Sequence, residues 1–108
     1  MDKVSEVLAG AGDQRILIEG HTDSVPIGPE LRDRFASNWE LSTARATEVV
    51  KYLAGHRLPG EILTAAGRAD TAPVASNQTE AGRRQNRRIE IVLLPAGRPA
   101  DPATISAP

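Results

Sequence analysis

An arginine on the inward side of a helix limits what this chain can fold into. The segment from Ser37 to about Ala54 opens with a capping box, Ser37 and Glu40, and carries Ala46, Val49, Val50 and Leu53 at helical spacing before Gly55. At about 100° per residue, Asn38, Ser42, Arg45 and Val49 fall along one stripe, with Leu41 and Leu53 beside it. The stripe is polar in its first two turns and apolar beyond them. A buried guanidinium is costly unless a carboxylate or an anionic ligand meets it. The pattern describes a helix packed on a sheet at one end and lining a charged recess at the other.

The sheet is written around that helix. Ile16-Leu17-Ile18 lies in a strand from Arg15 to Gly20, and its unbroken apolar run predicts cover on both faces. Ile62 to Gly67 forms a second strand after Pro59-Gly60, and Arg88 to Leu94 a third, with Ile89, Ile91 and Leu93 on one face. Strand, helix and strand in this order imply a right-handed parallel crossover. The expected fold is an α/β two-layer sandwich: a mixed sheet of three strands, the first two parallel and the last antiparallel, with helices mainly on one face. A short helix from Asp2 to Ala9 and a helical turn from Thr79 to Asn86 complete it. Loops at 24–37, with Pro26, Gly28 and Pro29, and at 68–78, around Pro73, belong at the surface. Residues 1–95 read as one domain, and the Pro- and Ala-rich stretch 96–108 as a disordered tail.

Composition narrows the function classes. With 13 basic and 14 acidic residues in 108, the chain has no global pull toward nucleic acid or anionic membrane. The absence of cysteine excludes disulfides and Cys-based metal sites, and leaves the redox compartment open. No apolar run approaches the roughly 18 residues of a membrane span, and the N-terminus lacks the pattern of a secretory signal. Phe35, Trp39 and Tyr52 are the only aromatics, which argues against base-stacking surfaces and stacked sugar platforms. The basic run Gly82 to Arg88 on its own looks like an arginine-rich RNA-binding segment, but it enters a strand directly and no aromatic accompanies it. Its arginines are better read as bridges between loop carboxylates and strand ends, with a ligand-facing role for Arg87 as the alternative.

Gly20-His21-Thr22-Asp23 closes the first strand. Asp23 falls just past its carboxyl end, where ligands bind in open α/β sheets, and the start of the Ser37 helix adds partial positive charge there. A carboxylate and a guanidinium held apart in a recess suit a zwitterion, Asp23 taking the ammonium and Arg45 the carboxylate in a bidentate grip. A plain Asp23–Arg45 salt bridge tying strand to helix fits the same spacing. His21 and Asp23 supply two metal ligands on one side of a strand, but His56 lies beyond the far end of the helix, so no metal site is expected. The local run of His21, Asp23 and Ser24 is unsuited to a catalytic triad. His21 is expected as a partly buried, hydrogen-bonded residue.

Four ordered blocks resemble the OmpA-like peptidoglycan-binding domain. They are Ile18-Glu19-Gly20-His21-Thr22-Asp23, Asn38 to Ala46, Gly67-x-Ala69-Asp70 with Pro73, and Asn77 to Glu90, over about residues 15–95. Within that family the loop carrying Pro26 and the run Phe35 to Ser42 are most similar to the periplasmic domain of the flagellar stator protein MotB. The resemblance implies noncovalent binding of the diaminopimelate side chain of the peptidoglycan stem peptide, without catalysis or cofactor. Carried over by motif, Asp23 and Arg45 hold that group, and Thr22, Asn38, Leu41 and Arg87 line the same pocket. It also implies a periplasmic domain of a membrane-anchored protein, in the inner membrane for the stator type and the outer membrane for porin or lipoprotein types. Peptidoglycan is then the partner, with a stator membrane protein and a second copy of the chain as further ones, and nucleic acid is not. A structural module that has lost peptidoglycan affinity is the other reading. Family domains begin with a further strand and a Phe-rich segment that this sequence lacks, so the chain reads either as truncated at its N-terminus or as taking that strand from elsewhere.

Overall fold

Three strands and two helices account for most of residues 15–94, the part that the computed structural model describes; the expected helix from Asp2 to Ala9 and the tail from residue 96 lie outside the described residues. In chain order they are β1 (Arg15–His21), α1 (Asn38–Ala54), β2 (Leu63–Gly67), α2 (Glu80–Asn86) and β3 (Arg88–Leu94). Single turns of tighter helix at Pro29–Leu31 and Gly60–Ile62 lie in the connections. The sheet order is β2-β1-β3, with β1 parallel to β2 and antiparallel to β3, as the crossover argument predicts.

The pairing register places the core. Ile16, Ile18 and Gly20 stand beside Leu63, Ala65 and Gly67 on one flank and beside Leu93, Ile91 and Ile89 on the other. Helix α1 covers this face with Ala46 and Leu53, and Leu58 closes the end. Burial along the apolar run of β1 is uneven, where an even cover of both faces is expected: Ile16 and Ile18 are 1% and 0% exposed, whereas Leu17, on the other face, is only partly buried. The other face is mixed: Leu17 pairs with Val92, while Glu19 and His21 pair with Glu90 and Arg88.

Two glycines set how closely helix and sheet approach. A Cβ at Gly20 would lie 2.1 Å from the Ser42 carbonyl oxygen, and one at Gly67 would lie 2.0 Å from Thr43 Oγ1. Their bare backbones let the early turns of α1 rest directly on the strand ends. Ser42 Oγ, fully buried there, accepts from the Ala69 amide at 3.0 Å, and the Ala69 carbonyl accepts from the Thr22 amide at 2.8 Å. This contact holds Arg45, one turn further along α1, over the end of β1.

Caps bound both helices. Ser37 Oγ accepts from the Trp39 amide at 3.1 Å and donates to the Glu40 carboxylate, completing the expected capping box. Gly55 ends α1 with right-handed backbone, and the left-handed residue that turns the chain is Arg57 at φ 75°. Thr79 Oγ1 caps α2 by accepting from the Gly82 amide at 3.0 Å. Buried Asn86 fixes the preceding loop, accepting from the Val74 and Ala75 amides and donating to Ala75 O and Asn77 Oδ1, all within 3.0 Å.

Candidate functional site

Beyond the carboxyl end of β1, the 24–37 loop, the first turns of α1 and helix α2 enclose a recess of about 400 Å³. All six residues singled out from the sequence, Thr22, Asp23, Asn38, Leu41, Arg45 and Arg87, line it. The loop adds Ile27, itself buried, and α2 adds Glu80 and Arg83. The sequence reading did not pick out Glu80 and Arg83. Their signal is spacing, since Glu80, Arg83 and Arg87 recur on one side of a helix that Thr79 caps.

Asp23 is 7% exposed, and each of its carboxylate oxygens accepts one hydrogen bond. Its Oδ2 accepts from Arg87 Nη1 at 2.7 Å, and its Oδ1 accepts from the Val25 amide at 2.9 Å. Asn38 Nδ2 donates to the Val25 carbonyl at 3.0 Å and to the Asp23 carbonyl at 3.4 Å, which ties the loop to the start of α1. Arg87 passes the chain of charge on, donating through Nη2 to Glu80 Oε1 at 2.6 Å, while Glu80 Oε2 lies 3.3 Å from Arg83 Nη2. Hydrogen bonds and charge from Arg87 hold the Glu80 carboxyl below the usual range, and the bonds to Glu80 and Asp23 raise Arg87 in turn.

The Asp23–Arg45 salt bridge does not form. Asp23 pairs with Arg87, 64 residues away in sequence, and Arg45 has no ion pair among the described residues. The recess therefore holds three arginines against two carboxylates, and the half-buried Arg45 guanidinium is the one without a counter-charge. A carboxylate arriving there would find a planar fork of donors. Asp23, with lone pairs left on both oxygens, remains an acceptor for a nearby ammonium.

The rest of the basic run ties the structure together. Arg83 Nη1 donates to Asn77 O at 2.9 Å, and Arg88 donates to Glu90 Oε2 at 2.6 Å and to Ala72 O at 2.9 Å, as the bridging reading predicts. Arg87 combines the two roles, bridging two carboxylates and lining the recess.

His21 departs from expectation. It is 2% exposed, and neither ring nitrogen makes a hydrogen bond. Its Nε2 stands 3.6 Å from Glu19 Oε1 and 3.9 Å from Glu90 Oε2, on the sheet face opposite α1. Burial first, then Arg88, lowers the His21 pKa from its ordinary 6.5, against the pull of Glu90 and Glu19. These three side chains bring possible metal ligands within 4.8 Å of one another. Each carboxylate already meets an arginine, Arg68 at 3.5 Å for Glu19 and Arg88 at 2.6 Å for Glu90, so a cation would have to displace them.

Comparison with known proteins agrees with this architecture. The OmpA family model matches residues 1–87. Motility protein B of Bacillus subtilis is 38% identical over 96 residues, which cover 88% of this chain and 36% of that protein. The peptidoglycan-binding protein ArfA of Mycobacterium tuberculosis is 36% identical over 93 residues, 86% of this chain and 26% of that one. Among solved structures, the cell wall anchor of the T6SS from Pseudomonas aeruginosa superposes with a TM-score of 0.76 at 39% identity, covering 87% of this chain and 62% of that chain. The chain thus spans little more than a third of the longer-matched sequence relative.

Proposed function

The chain belongs to the OmpA family, and on that premise we propose that it binds peptidoglycan noncovalently and so anchors a larger protein to the cell wall. Residues 1–95 are the binding domain in this reading, and 96–108 a tail outside it. The group bound is the diaminopimelate side chain of a stem peptide, which presents an ammonium and a carboxylate on one carbon. Arg45 receives the carboxylate in a bidentate grip, and Asp23 accepts from the ammonium while Arg87 holds the far side of its carboxylate. Thr22, Asn38 and Leu41 shape the walls. No bond is made or broken, and the protein is not an enzyme.

One observation carries this reading: an arginine faces a recess without a carboxylate, beside an aspartate whose partner comes from elsewhere. A purely structural pair would have satisfied both. The excess of positive charge also favours a ligand with negative charge to spare, as a stem peptide with free carboxylates has. Co-sedimentation with purified sacculi tests it. Asp23→Ala and Arg45→Ala should stay in the supernatant while the parent pellets, and free diaminopimelate should release the parent. Two variants that pellet like the parent would remove the pocket assignment.

The larger protein is, in our reading, a stator-type motility protein of the inner membrane that holds this domain in the periplasm. The 38% identity to Motility protein B supports it, and the 39% identity to a T6SS cell wall anchor makes a secretion-system anchor the second reading. Exchange of this domain into a stator subunit separates them. Sacculus binding retained with motility lost would favour the second.

A further inference from the structure

Two acidic side chains line the charged recess, and only Asp23 has a part in the binding scheme above. The other, Glu80, is half-exposed and makes two contacts. Its Oε2 lies 3.3 Å from Arg83 Nη2, an ordinary pair one turn along α2. Its Oε1 accepts from Arg87 Nη2 at 2.6 Å, seven positions away and past the end of the helix. A carboxylate that only steadied α2 would need the first contact and not the second. Arg83 in turn has a second acceptor, the Asn77 carbonyl at 2.9 Å.

Charge supplies a reason for the longer reach. Arg87 Nη1 already holds Asp23 Oδ2 at 2.7 Å. Alone, that pair is neutral, and an ammonium arriving at Asp23 would find the attraction of the carboxylate largely offset by the guanidinium bound to it. Glu80 takes the other nitrogen of the same guanidinium, so the row Asp23–Arg87–Glu80 carries one negative charge in excess. Arg83 meets this row only through Glu80, at the longer distance. Across the recess, Arg45 stands without a counter-charge among the described residues. The recess is thus polarised, with a negative end at Asp23 and a positive end at Arg45.

We propose that Glu80 is a specificity-determining residue for the ligand's ammonium, an inference that rests on the peptidoglycan reading above. It acts through Arg87 without touching the ligand, restoring to Asp23 the negative potential that Arg87 by itself would cancel. The recess then selects an amino-acid end, with ammonium and carboxylate on one carbon, over an end that carries a carboxylate alone. Glu80 suits this role because it is half-exposed and off the core, so its charge is free to serve the ligand at little expense to the fold.

Two soluble tripeptides test the role: one ending in diaminopimelate, and its analogue with hydrogen in place of the side-chain ammonium. Calorimetry of the parent, Glu80→Gln and Glu80→Ala against both closes a cycle between the Glu80 charge and the ammonium. Glutamine keeps the side-chain length and an oxygen acceptor for Arg87, and removes only the charge. The parent should favour the ammonium form. In Glu80→Gln that preference should shrink about fivefold, through weaker binding of the ammonium form, while the analogue binds at least as tightly as before. Glu80→Ala should lose as much preference as Glu80→Gln. An unchanged preference in Glu80→Gln would overturn the role of Glu80 and leave the Asp23–Arg45 pocket standing. Equal weakening of both peptides would make Glu80 a mere tether for Arg87 and overturn it too. Failure of the parent to bind the diaminopimelate peptide, or equal affinity for the two peptides, would take down the ammonium site at Asp23 and the role of Glu80 together.

Discussion

Two groups of charged side chains flank Gly20, a residue or two apart in sequence and opposite in character. On one side, Glu19 and Glu90 are matched by Arg68 and Arg88 around His21, which is sealed from solvent with both ring nitrogens unsatisfied. On the other, Asp23 and Glu80 face three arginines across an open recess, and Arg45 has no counter-charge. Both regions contain a polar group without a partner, but the two omissions differ in consequence. A buried orphan loses its water on folding and gains nothing in return, so it weakens the fold. A guanidinium at the wall of an open recess keeps its water until a ligand replaces it, so the fold gives up little. An unpaired group thus points to a ligand only where a ligand can reach it.

The sharpest way to break this contrast is to alter what divides the regions. Gly20→Ala would drive a methyl group into the Ser42 carbonyl, and neither backbone can yield without moving α1 off the sheet. We expect a loss of about 3 kcal/mol or more in denaturant unfolding, with sacculus binding lost as Arg45 shifts. A variant of parental stability would mean that the close contact does not hold the two regions in place. A smaller change separates the arginines. Arg45→Ala should lower sacculus affinity about 30- to 100-fold and leave the unfolding free energy within about 0.5 kcal/mol of the parent. Arg87→Ala should lower both affinity and stability, because Asp23 would keep its burial and lose its partner. Equal loss of stability in the two variants would erase the distinction between a ligand arginine and a structural one.

Local chemistry made most of the fold legible. The Ser37–Glu40 box marks the start of α1, and the alternation of Ile89, Ile91 and Leu93 marks the inner face of β3. Asp23 and Arg45 could be brought to one recess from sequence because each sits at a defined place, a strand end and the second turn of the following helix. What stayed hidden depends on partners distant in sequence. That Arg87 rather than Arg45 holds Asp23 follows from how α2 and β3 return past β1, which no spacing within either segment reveals. The isolation of His21 has the same origin, since its neighbours Arg88 and Glu90 arrive through the antiparallel register. The partly buried Leu17 shows the limit of a three-residue apolar run, which looks the same whether its two faces are covered equally or not.

The smallest effect expected lies at His21, and it works through pH. Burial and Arg88 lower the His21 pKa, so the folded state prefers the neutral ring. Between that lowered value and the ordinary 6.5, the unfolded chain carries the proton and the folded chain does not. Stability therefore rises with pH through this window, levels off above it as far as this group is concerned, and falls as the solution is acidified. His21→Leu removes both orphan nitrogens at similar volume and should stabilise the fold by about 1 kcal/mol at neutral pH. It should also flatten the acid limb of a plot of unfolding free energy against pH, while sacculus affinity stays at the parental level. An acid limb as steep as the parent's would assign that titration to the carboxylates instead. A fall in sacculus affinity would mean that the two regions are coupled through Gly20, and that the division drawn between them is false.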